Sequence, residues 1–193
     1  MSESLLGRLF GRFSGDRRGA RVAGLFTAIV ERGRAPVFYR DLGVPDTLDG
    51  RFEMVALHAF LVMRRLKGQG AEAGSLSRRL YETMIDNFEK SLMEMGVGDT
   101  GIGRRVKTMA RGMAGRIRAY DEALADSDER CLEVALDNNV YGTVVAGVDP
   151  AALVALAAYV RACVVTLDGQ ALEALMEGQP NFAALPNGET RNG

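Results

Sequence analysis

The sequence has no tryptophan, one histidine, two cysteines and five prolines among its 193 residues. Each scarcity removes a class of protein. Cys131 and Cys163 lack the CxxC spacing of thiolate metal sites, which leaves no thiolate cage for zinc or iron-sulfur clusters and argues against a disulfide scaffold. The lone His58 has no second imidazole to form a metal site and is poorly placed as the base of a Ser or Cys triad. Long apolar runs are also missing. The longest, Ala151 to Leu167, is interrupted by Arg161 and falls short of the roughly 20 residues needed to cross a bilayer, so no transmembrane helix is expected. The first 20 residues scatter Arg8, Arg12, Arg17 and Arg18 among leucines and phenylalanines, which is not the apolar core of a secretory signal. A reducing, cytoplasmic setting is the expectation, with no metal and no cofactor.

Net charge is nearly absent too, with 24 basic against 25 acidic residues, but its distribution is uneven. Residues 1–119 carry 21 basic and 13 acidic side chains, whereas residues 120–193 carry 3 and 12. Such asymmetry either steers an anionic partner to one face or lets the two parts attract each other within the fold.

What the chain has in abundance is helical periodicity, which predicts an all-α fold of about six to seven helices in one globular domain. Val22, Leu25, Phe26, Ile29 and Val30 form one stripe of a helix that Gly33 can end. After a loop holding Pro36 and Pro45, Asp46 or Thr47 can cap a helix running to about Lys67, apolar almost all round between Phe52 and Leu66. Leu76, Leu80, Met84, Phe88, Leu92 and Met95 make the next stripe. From Gly103 to about Leu124, Val106, Met109, Met113, Ile117 and Tyr120 face one way, and Arg104, Lys107, Arg111 and Arg118 the other. An acidic helix over about 128–141 follows. Asp149 with Pro150 then opens the apolar helix 151–167, and a short helix lies near 170–176. The organisation read from this is a basic amphipathic segment over 1–19, a helical domain over 20–177 and a mobile tail over 178–193.

Three patterns invite chemistry. Gly96, Gly98 and Gly101 satisfy GxGxxG, but a helix precedes them and no βαβ unit is present, so a linker between helices is the better reading. The cations Arg104, Arg105 and Lys107 in the helix that follows stand against its dipole; they pair within the chain or hold an anion. His58, among Leu57, Phe60 and Leu61, reads as a buried residue bonded to a carbonyl more readily than as a base or haem ligand. Leu5, Leu6, Leu9, Phe10 and Phe13 share a face beside Arg8 and Arg12, a pattern suited to peripheral contact with a membrane surface or to a partner groove, and otherwise a frayed end.

Two segments, FYRDLGVPDTLDGRFEMVALHAFLVMRRL over 38–66 and MGVGDTGIGRRVKTMARGMAGRIRAYDEAL over 95–124, resemble the ubiquinol–cytochrome c chaperone family. The resemblance implies a helical, non-enzymatic assembly factor of the cytochrome bc1 complex. Its partners would be newly made cytochrome b, the ribosome near its exit tunnel and a small second chaperone. The family elements fall on Phe38, Tyr39, Arg40, Asp41, Gly43, Val44, Pro45, Asp46, Thr47, Gly50, Arg51 and Phe52, and on Gly96, Val97, Gly98, Asp99, Gly115 and Arg116. Met113 and Ala114 stand where the family has aromatics. Three lysines against 21 arginines accord with a bacterial member, located in the cytoplasm or at the inner membrane; an organellar one would lie in the mitochondrial matrix. The expected partner-binding set is Phe38, Tyr39, Arg40, Asp41, Pro45, Asp46, Arg51, Gly98, Asp99, Arg104, Lys107, Arg111, Arg116 and Arg118. The rival readings are an RNA- or ribosome-binding module acting through helix 104–118, and an enzyme or haem carrier using His58; nothing points to DNA.

Overall fold

The computed structural model describes residues 17–94, 99–144 and 147–186, which form an all-α bundle. Six long helices are present among them: α1 (Arg17–Gly33), α3 (Leu48–Leu66), α4 (Ala71–Glu94), α5 (Asp99–Ala125), α6 (Arg130–Val140) and α7 (Pro150–Gly169). Two five-residue helices, α2 (Pro36–Arg40) and α8 (Leu172–Met176), complete the order. Residues 1–16, which include Leu5, Leu6, Leu9, Phe10 and Phe13, lie outside the described residues, as does Gly98.

The central element is α3, and its sequence explains why. A helix apolar on every side has no face to give to water and must be surrounded. Accordingly α1, α4, α5, α6 and α7 all pack against it. Its start is fixed by Thr47, whose hydroxyl accepts from the Gly50 amide at 3.2 Å, as the capping pattern predicts. Asp149 likewise accepts from the Ala151 amide at 2.9 Å with Pro150 in the first turn of α7. Aromatic pairs join the layers: Phe52 of α3 meets Phe88 of α4 edge to face at 4.3 Å, and Phe60 meets Tyr120 of α5 at 5.3 Å.

The uneven charge is used partly inside the chain. Arg21 bonds Glu177, Lys67 bonds Asp121 at 2.9 Å, and Arg64 lies between Asp121 and Asp168 at 3.7 and 3.6 Å. These pairs tie the basic first part to the acidic second part.

Several boundaries differ from the periodicity reading. The loop after Gly33 contains the helical turn α2, because Pro36 supplies a preset φ at its first position. Helix α5 starts at Asp99 and takes Gly101 and Gly103 into its first turns, so the linker is shorter than the glycines suggest. Helix α7 extends to 20 residues, long and apolar enough by length and composition to cross a membrane. Here its inner face, including Leu156, Tyr159, Val160, Cys163 and Leu167, is buried in the bundle. Residues 178–186 follow α8 as a strap without helix or strand that touches α1 at Arg32, α3 at His58 and α7 at Cys163; Phe182 and Ala183 are packed against the core.

Candidate partner-binding site

The segment 38–52 separates into residues that build the corner between α2 and α3 and residues that remain outside it. Phe38 is fully buried and meets Tyr159 edge to face at 5.2 Å. Leu42 and Val44 are also buried, and the Tyr141 hydroxyl, itself buried, donates to the Leu42 carbonyl at 2.8 Å. Gly50 lies so close to the preceding turn that a Cβ there would sit 2.0 Å from the Pro45 carbonyl oxygen, so only glycine lets α3 start against that proline. Phe38 was expected at the partner surface. It is a core residue, because a large ring three residues into α2 points at α7.

The polar residues of the same segment face outward. Tyr39 is half-buried; its hydroxyl donates to the Gly33 carbonyl at 2.6 Å, and burial pushes its pKa up to about 12. Arg40 grips Asp41 through two bonds of 2.6 and 2.7 Å. Arg51 donates to Asp46 at 2.6 Å, and this bond holds the Asp46 carboxyl below the usual carboxylate range. Arg34, Pro36, Tyr39, Arg40, Asp46 and Arg51 line a shallow cleft whose charge is mainly cationic. Arg34 was missed by the sequence reading. The available signal was a cation between Gly33 and Pro36, a spacing that leaves it on a turn beside the motif.

The Gly-Arg element is placed differently. Arg116 on α5 donates from Nε to Glu53 Oε2 at 2.6 Å and from Nη2 to Glu53 Oε1, with its guanidinium 5.3 Å from the centre of the Phe52 ring. Glu53 is 7% exposed. Burial raises the Glu53 carboxyl above its ordinary range despite the Arg116 bonds. On Arg116, burial opposes the charge, but the bonds and charge of Glu53 outweigh it and its pKa rises. Arg116, expected to meet a partner, thus joins α5 to α3 as an internal ion pair. Glu53 was the overlooked counterpart, the one carboxylate inside the apolar stretch 52–66.

Among the expected cations on α5, Arg118 is exposed, 3.8 Å from Glu122 one turn on. The backbones of Asp99, Arg104, Lys107 and Arg111 lie on α5; their side chains are outside the described residues. His58 is fully buried. Its Nδ1 donates to the Met54 carbonyl at 2.7 Å, which leaves Nε2 to accept from the Tyr159 hydroxyl at 2.9 Å. That is the carbonyl-bonded reading, and burial lowers its pKa to about 4. Among the described residues no group of three or more His, Cys, Asp or Glu side chains could hold a metal ion.

The model of the ubiquinol-cytochrome C chaperone family matches residues 40–182, from Arg40 in the cleft to Phe182 in the strap. The chain belongs to this family. Its sequence is 30% identical over 151 residues to ubiquinol-cytochrome-c reductase complex assembly factor 1 of Xenopus laevis, covering 77% of this chain and 74% of that protein. It is 29% identical over 111 residues to Protein CBP3, mitochondrial, of Saccharomyces cerevisiae, covering 56% of this chain and 33% of that one. The fold matches the crystal structure of the Cbp3 homolog from Brucella abortus with a TM-score of 0.78 and 34% identity, over 93% of this chain and 97% of that one. A bacterial Cbp3 homolog therefore shares this bundle, and the resemblance read from segments 38–66 and 95–124 is shown at the level of family and fold. Within that bundle, the motif segment supplies both a packed corner and the cationic cleft beside it.

Proposed function

We propose that the protein is a non-enzymatic assembly chaperone of the ubiquinol-cytochrome c reductase complex. It binds newly made cytochrome b at the inner face of the membrane, and the cleft of Arg34, Tyr39, Arg40 and Arg51 is one of its contact surfaces. The observation that carries the reading is the division of the family motif: Phe38, Val44 and Phe52 are used up in the core, whereas Tyr39, Arg40, Asp46 and Arg51 line one cleft. Exposed ion pairs such as Arg40–Asp41 and Arg51–Asp46 are screened by water and add little to stability, so the fold has little need of them. Guanidiniums gathered on one patch suit bidentate recognition of carboxylates on a partner. A membrane protein exposes apolar helices before its partners arrive, and a binder that holds it limits aggregation without any bond being broken.

Charge reversal tests the surface without disturbing the core. The triple variant Arg34→Glu, Arg40→Glu, Arg51→Glu is expected to keep the wild-type melting temperature to within a few degrees, given the small worth of exposed pairs. Its co-purification with newly made cytochrome b should fall at least about tenfold, a loss of 1.4 kcal/mol or more. Undiminished co-purification would remove the cleft from the account.

A further inference from the structure

The strap is held as a bound peptide is held. After α8, Gly178 turns the chain at φ +88°, and it crosses α1 so closely that a Cβ on Gly178 would lie 2.6 Å from the Arg21 carbonyl oxygen. From that anchor the chain runs on without helix or strand. The Gln170 side chain reads its backbone twice: Nε2 donates to the Gln179 carbonyl at 2.5 Å, and Oε1 accepts from the Asn181 amide at 2.9 Å. Arg32 donates to the Ala183 carbonyl at 3.0 Å. Backbone contacts of this kind accept any sequence. One side chain is selected as well. The Phe182 ring meets the edge or face of His58 at 5.2 Å, and the Arg32 guanidinium lies 5.7 Å from its centre.

Helices α1 and α3 and the residue that ends α7 thus present a slot with two backbone readers, Gln170 and Arg32, and one aromatic seat floored by His58. We infer that this slot is a peptide-binding site occupied by the chain's own residues 179–183, and that its partner ligand is a peptide segment carrying an aromatic residue followed by a small apolar one. The bound strap defines that chemistry at its packed residues, Phe182 and Ala183. Occupation in cis keeps the seat covered, since a tethered segment acts at an effective concentration of about millimolar. A partner segment enters when it outcompetes the strap or when the strap is drawn away. The slot is separate from the arginine cleft, and the inference does not depend on cytochrome b being the client.

The test uses the full-length protein and a fluorescent peptide copying residues 178–186, followed by anisotropy. Phe182→Ala empties the seat, and Asn181→Pro removes the amide that Gln170 accepts without opening a cavity in the core. Both variants are expected to bind the added peptide at least about tenfold more tightly than wild type. A peptide with serine in place of its phenylalanine should bind at least about tenfold more weakly, and adding Gln170→Ala to either variant should lower affinity again. Equal binding to wild type and variants, or binding indifferent to the peptide's phenylalanine, overturns the inference. A wild-type chain found as a dimer with exchanged straps overturns it too, because the slot would then serve self-association.

Discussion

Arg116→Ala is expected to lower the free energy of unfolding by about 3–5 kcal/mol, the largest effect of any single substitution considered for this protein. The cost comes mainly from what remains. Glu53 lies on the helix that every other long helix packs against, and without the guanidinium its carboxyl would stay buried without its ionic partner. The ion pair itself need not be strongly stabilising, since taking both charges out of water offsets most of their attraction. Replacing both residues by methionine is therefore expected to recover most of the loss. Urea denaturation of the two variants separates these statements. A cost below about 1 kcal/mol for Arg116→Ala would place the guanidinium in water instead of inside the bundle.

The second large effect is on stability against pH. Burial lowers His58 from its ordinary 6.5 to about 4, so the unfolded chain binds a proton that the folded chain refuses. Stability from this group is fully present above about pH 6.5, falls as the pH drops through the window down to about 4, and is lost to the extent of about 3 kcal/mol below it. The groups facing the imidazole do not overturn the sign. The Met54 carbonyl, which accepts from Nδ1, opposes the shift, but burial outweighs it; the Arg32 charge further disfavours a cation, and Tyr159 donates to Nε2. Glu53 shifts the opposite way, which makes the comparison with His58→Gln necessary. Urea midpoints between pH 7 and pH 4 should fall more steeply for wild type than for His58→Gln. Parallel slopes would mean that the imidazole is already hydrated in the native state.

The same residues show what could be read in advance. Thr47 and Asp149 as caps, α3 as an all-apolar helix and His58 as a carbonyl-bonded core residue follow from local rules, because each depends on neighbours within one or two turns. The placement of Phe38 and Arg116 could not be read where the decisive neighbour was remote. Arg116 and Glu53 are 63 positions apart and look like unrelated surface charges until α5 lies on α3. Phe38 carries the same family element as Arg40, and only the direction of α2 decides that one is core and the other exposed. The strap was hidden for a similar reason. Its Pro, Gly and Asn content reads as a tail, whereas its seat is assembled from Arg32, His58 and Gln170 on separate parts of the chain.

The arginine cleft is proposed to act in assembly of the ubiquinol-cytochrome c reductase complex. The measurement that tests it most directly is the b-type haem difference spectrum of membranes from a source strain lacking the protein, complemented with wild type or with the triple Arg→Glu variant. If the cleft acts in assembly, the complex's haem signal is lost in the deletion strain, returns with wild type and stays low with the variant at equal protein level. An unchanged signal in the deletion strain would contradict the assembly role, and full rescue by the variant would contradict the cleft.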